Sequence, residues 1–166
     1  MKNDNALLKW WITISLIGFG FALIFFTGLV QTINKADVTK LSFVIGGLFI
    51  YFSLRVGVNV YRMSAVRVTA DMGKAARKFF DLATFAAKIF LDLGMIGTVI
   101  GFIYMLATSF GSIELASTST LKLALQNMGT GMSTALYTTA AGLVFSVLLR
   151  IQLYPFDKLL KERADA

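Results

Sequence analysis

Leu93-Gly94-Met95-Ile96-Gly97-Thr98-Val99-Ile100-Gly101-Phe102-Ile103 opens a run that carries no charge until Glu114. A helix needs about 20 apolar residues to cross a hydrocarbon core, and Leu93 to Ile113 is long enough to do so. Working outward, three further runs have the same character: Leu123 to Leu149, Leu41 to Tyr61 broken by Arg55, and Trp10 to Asn34. Backbone groups in lipid must bond within their own segment, and none of these runs alternates with the two-residue period of a barrel strand. The expected fold is therefore an all-α membrane protein with four transmembrane helices, at about 10–34, 41–61, 64–113 and 123–153, forming one unit over residues 1–166.

Composition agrees. Hydrophobic residues make up 57% of the chain and charged ones 15%, with a mean hydropathy of +0.73, where a soluble domain carries about a quarter charged residues. Cysteine and histidine are absent, which excludes disulfides, thiolate chemistry, imidazole-bound metals and histidine proton relays. No nucleophile, base and orienting group cluster, so no enzyme is expected, nor any cofactor. The formal charge of +7 comes from lysines and arginines gathered between and after apolar runs, where they meet anionic lipid rather than nucleic acid.

Those charges also set the orientation. Arg62, Arg67, Lys74, Arg77, Lys78 and Lys88 lie between the second and third runs, and Arg150, Lys158, Lys161 and Arg163 in the tail. The remaining loops are poorer, so the positive-inside rule puts both termini and the middle segment in the cytoplasm. The first run is too long for a cleaved leader and is expected to stay as an anchor. In the middle segment Arg67, Asp71, Lys74, Lys78, Asp81, Lys88 and Asp92 recur at helical spacing, which predicts one helix running from the cytoplasm into the membrane as the third span. Arg67 with Asp71, and Lys88 with Asp92, are spaced as ion pairs worth a few tenths of a kcal/mol each. The only proline, Pro155, is expected to end or redirect the last helix.

On the third run Gly94, Thr98, Gly101, Met105 and Thr108 form one stripe, and Gly97 with Gly101 makes a GxxxG. On the fourth, Ala135, Thr139, Gly142, Ser146 and Arg150 share a face. Small residues let helices approach closely, and a hydroxyl on a helix often bonds its own backbone. Two threonines among glycines on neighbouring spans can also line a narrow hydrated slot. No Asp, Glu or His lies at mid-depth in these runs, and threonine does not titrate near neutral pH. If ions pass, a titratable carrier must come from elsewhere.

The phrase Leu93 to Gly101, followed by Ala135-Leu136-Tyr137-Thr138-Thr139-Ala140-Ala141-Gly142-Leu143, resembles the paired signature of the MotA/TolQ/ExbB proton-channel family. The match covers about Asp92 to Tyr154. The four-helix layout is similar to the MotA branch and the motif wording to the TolQ/ExbB branch. The resemblance implies a subunit of an ion-driven motor in the bacterial inner membrane, with five copies around a MotB-, TolR- or ExbD-like single-span partner that supplies an aspartate. By position it puts Thr98 and Thr139 on the ion pathway; from the residues themselves Thr138 and Ser146 are expected there too, and Gly94, Gly97, Gly101, Ala135 and Gly142 at helix packing or partner contacts. Thr134 stands where the TolQ/ExbB branch carries an acid, and Leu148 where it tends to carry a proline. The long cytoplasmic domain of flagellar stators is missing, so flagellar torque is not the expected output. The competing expectation is a structural membrane scaffold whose glycine and threonine stripes only pack helices.

Overall fold

The computed structural model describes residues 8, 11–15, 17–18, 28–37, 39–65, 70–110 and 118–164. Its elements are α1 (Leu29–Ala36), α2 (Leu41–Ala65), α3 (Ala70–Phe110) and α4 (Thr118–Ala164), with no strand among the described residues. Leu41–Met63, Asp71–Ser109 and Ala124–Lys161 are long and apolar enough to cross a membrane. Of the expected first span, residues 11–15, 17 and 18 are helical and α1 covers its end. Trp10, Leu16 and residues 19–27 lie outside the described residues.

With 41 residues in α3 and 47 in α4, each is roughly 60 to 70 Å long, about twice a hydrocarbon core. The end of both helices that carries Lys74, Lys88, Arg150 and Lys161 is called the basic end below. There Val56, Val60 and Met63 of α2, Ala76, Ala83 and Ala87 of α3, and Phe156, Leu159 and Leu160 of α4 are buried in one core. The alanines on α3 let three helices close together, and the aromatic rings fill the space between them. Phe156 lies 6.4 Å from Phe79 and 6.0 Å from Phe80 between ring centroids, and Phe52 reaches Phe79 and Phe90 at 6.4 and 6.3 Å.

This core corrects the reading of Pro155. The proline lies inside α4, which runs on to Ala164 instead of ending near residue 153. An internal proline costs about 3 kcal/mol of helix stability. Burial of Leu153, Phe156, Leu159 and Leu160 on both sides of it returns about 1.5 to 3 kcal/mol per fully buried side chain, enough to carry the helix through. A second expectation also fails: Lys88 and Asp92 do not pair, and the ion pair formed among the described residues is Lys161 to Asp157 at 2.6 Å. Arg67 lies outside the described residues.

Between α1 and α2, Asp37 ties the two helix ends together. Its backbone N–H closes α1 on Ile33 O at 2.7 Å. Its carboxylate accepts the N–H of Ser42 at 2.9 Å, the N–H of Thr39 at 3.1 Å and the Thr39 hydroxyl at 2.7 Å. One buried side chain thus satisfies donors at the start of α2, while Lys40 turns the backbone through φ 57°.

Candidate functional site

α3 and α4 run antiparallel and meet along a seam of small residues. On α4 these are Gly131, Ala135, Thr138 and Gly142, and on α3 they are Gly94, Gly97 and Gly101, followed by Met105. The spacing alternates four and three, the period of a left-handed helix pair, so the same stripe keeps facing its partner over several turns. How closely the backbones approach is seen by adding a methyl group. A Cβ on Gly97 would lie 2.5 Å from Thr138 Cβ and Oγ1, one on Gly101 would lie 2.7 Å from Ala135 N, and one on Gly142 would lie 2.5 Å from Phe90 O and 2.9 Å from Gly94 Cα. Gly131 likewise leaves no room against Met105. These glycines are required for contact, not for flexibility.

Hydroxyls stitch the same seam. At the basic end Ser146 Oγ donates to Ala87 O across the helices at 2.6 Å. At the far end Ser109 Oγ reaches Ala124 O and Asn127 Nδ2 reaches Thr108 O, both at 3.4 Å. Thr138 is fully buried, and its hydroxyl stays on its own helix with Thr134 O at 3.0 Å and Ala135 O at 3.1 Å. Thr134, also fully buried, bonds Thr130 O at 3.2 Å.

Thr98 and Thr139 form the centre of the arrangement. Each bonds the carbonyl one turn before it: Thr98 Oγ1 to Gly94 O at 3.1 Å, and Thr139 Oγ1 to Ala135 O at 2.9 Å. Each also reaches the other's carbonyl, Thr139 to Gly94 O at 3.3 Å and Thr98 to Ala135 O at 3.5 Å. The two hydroxyls bond each other directly. Two protons are therefore shared among two hydroxyl oxygens and two carbonyls in a nearly two-fold cluster. Such a cluster can reorient its donors without losing every bond, which lets it receive or pass a hydrogen bond at its open edge.

That edge faces away from α2. α2 packs on α4 through Phe145, with Phe49 at 5.0 Å between centroids and Gly46 beside the ring. Thr139, six residues earlier, is turned about 120° around the helix from Phe145. The two threonines are half-buried, and the residues around them, Met95 and Phe102 on α3 and Leu136 and Leu143 on α4, are exposed. The face is apolar with one polar pair in its middle. Among the described residues no three metal-ligating side chains gather, and the seam holds no carboxylate.

The structure thus brings Thr98 and Thr139 together, buries Thr138 and Ser146 in the seam behind them, and sets Gly94, Gly97, Gly101, Ala135 and Gly142 at the closest helix contacts. Gly131 joins that set; its position four residues before Ala135 continues the same four-three spacing and would have identified it. Arg150, on the Thr139 side of α4, is exposed at the basic end.

Membrane-crossing helices zipped by glycine around a shared hydroxyl pair define a multi-pass membrane protein whose polar chemistry sits between two spans. The chain matches the model of the MotA/TolQ/ExbB proton channel family over residues 60–165, which takes in all of α3 and α4, and it belongs to that family. No curated protein and no solved structure gives a match.

Proposed function

We propose that this chain is the membrane subunit of a proton-driven motor complex, and that the Thr98–Thr139 face is one wall of its ion path. The observation that carries the reading is the hydroxyl pair on an apolar face of two membrane-crossing helices, in a chain of this family, with no carboxylate in the seam among the described residues. A wall of this kind can position water or a carboxylate but cannot itself take up a proton. The path is completed by further copies, five by the family resemblance, and by a MotB-, TolR- or ExbD-like single-span partner whose aspartate carries the proton. Thr98 and Thr139 lie at the surface of the path, with Thr138 and Ser146 behind them. Proton flow turns the copies around the partner and so converts ion-motive force into motion.

In this reading residues 1–166 act as one transmembrane unit in the bacterial inner membrane, with both termini and the basic end in the cytoplasm. Co-expression with a single-span protein that carries a transmembrane aspartate, reconstitution into liposomes and measurement of proton flux test it. Flux should require both proteins and should disappear when the partner's transmembrane aspartate becomes asparagine. Unchanged flux in that variant overturns the reading.

A structural scaffold is the second reading. It is favoured by one observation, that both threonine hydroxyls already have carbonyl partners. It predicts a stable assembly that moves no protons with any partner.

A further inference from the structure

Arg55 is the one charge that interrupts the apolar run of α2. The helix turns Ile45, Phe49, Val56 and Val60 into the core, which leaves Arg55 exposed on the outer side. Tyr51, one turn earlier and also exposed, holds it: Arg55 Nε donates to the Tyr51 hydroxyl at 3.4 Å, and Cζ lies 5.8 Å from the ring centroid. Among the described residues no carboxylate pairs with it. A charge on a lipid-facing helix is costly unless an anion or water meets it.

Its height along the bundle shows what meets it. α2 is joined to α3 by four residues, 66–69, and runs antiparallel to it, hence parallel to α4. The Phe49 and Phe145 rings touch at 5.0 Å. Six residues beyond Phe49 is Arg55, and five beyond Phe145 is Arg150, so the two arginines lie within about a turn of the same height. Arg150 is where the uncharged run of α4 stops. Lys88 follows Ala87, whose carbonyl is bonded by Ser146, so it falls in the same layer. Three exposed cations on three helices therefore lie within about two turns of one another, around the level at which the uncharged run of α4 stops, and cations at such a level meet lipid headgroups.

We propose that Arg55 and Tyr51 form a binding site for the phosphate of an anionic phospholipid. With Nε held on Tyr51, the two terminal guanidinium nitrogens remain as a fork that fits two phosphate oxygens. Exposed Val44 and Leu48 on the same helix give an acyl chain an apolar track toward the bilayer centre. A second copy of the chain is the weaker occupant on charge: 16 basic residues against 9 acidic ones leave every assembly of copies with the same excess, which anionic lipid can neutralise. The site is separate from the threonine pair, and its test does not depend on ion flow.

The test is native mass spectrometry of the purified full chain in detergent micelles titrated with phosphatidylglycerol or phosphatidylcholine. Wild type should retain phosphatidylglycerol in preference to phosphatidylcholine. Arg55→Gln should retain it about tenfold less, the loss of a charge-assisted hydrogen bond. Tyr51→Phe should also weaken it, several-fold, with the charge unchanged. Arg62→Gln removes an equal charge lower on α2 and should leave retention near wild type. Equal retention by wild type and Arg55→Gln overturns the proposal, as does an equal loss in Arg62→Gln or a lack of preference between the two lipids.

Discussion

Thr98 and Thr139, 41 residues apart in the chain, bring their hydroxyls together, and their two protons are shared between that contact and the carbonyls of Gly94 and Ala135, one turn before each on its own helix. The pair lies at the edge of the glycine seam, so each hydroxyl is anchored from behind and open on one side. An ion path built on it needs the hydroxyl and little else of the side chain. Thr139→Val keeps the shape and removes the donor. Assembly should persist, with stability changed by about 1 kcal/mol, while proton flux in liposomes falls roughly tenfold, the worth of one hydrogen bond. Thr139→Ser should retain most of the flux. Normal flux in the valine variant removes Thr139 from the path.

The seam itself is tested by moving a methyl group across it. Gly97→Ala puts a Cβ against Thr138 Cβ, and neither atom belongs to a flexible side-chain end, so the helices must separate. Overpacking of this kind costs about 1 to 3 kcal/mol. Adding Thr138→Gly returns the space from the other side and should recover much of the loss. Gly129, by contrast, has nothing within 4 Å of an added Cβ. Gly129→Ala should raise stability by about 0.5 to 1 kcal/mol through helix propensity alone. Thermal unfolding in detergent reads all three, and a destabilised Gly129→Ala with an unaffected Gly97→Ala contradicts the seam.

Much of this arrangement is legible in the sequence. Charge-free length marks the spans, and the four-three recurrence of Gly94, Gly97 and Gly101 marks the contact line, because both follow from helix geometry alone. The stripe through Ala135 and Gly142 singles out Thr139, but helix geometry alone does not separate it from Thr138. On a helical wheel they fall roughly 50° to either side of the line through Ala135 and Gly142, so both border the seam equally. Only the position of α2 decides between them: it docks at Phe145, on the Thr138 side, and leaves Thr139 at the open edge. Pro155 misled for a related reason. The cost of an internal proline is local, whereas the burial of Phe156 and Leu159 that offsets it comes from α3 and α2.

Gln152 is fully buried in α4, and neither its amide nitrogen nor its amide oxygen meets a partner. Each buried unpaired polar group costs about 1 to 3 kcal/mol. Gln152→Met, similar in length and apolar, should therefore raise the thermal midpoint by the equivalent of about 1 kcal/mol or more. A lower midpoint would mean that the amide is satisfied in the membrane-embedded assembly, by water or by another chain.

Asp37 gives the turn between α1 and α2 a pH dependence. Burial acts against its charge, but hydrogen bonds from Ser42 and Thr39 outweigh burial and hold the carboxyl below the ordinary aspartate value of 3.8. A folded-state value below the unfolded one means that the ionised form stabilises the fold. That contribution is present above pH 3.8 and is lost as pH falls below it toward the folded value. Asp37→Ala removes the cap on α2 and should cost about 1 kcal/mol at neutral pH. Thermal midpoints of wild type and variant should then converge as the buffer is taken below pH 3.8. A gap that stays constant with pH would show that the carboxylate's charge does not contribute, and that the turn is held by its backbone alone.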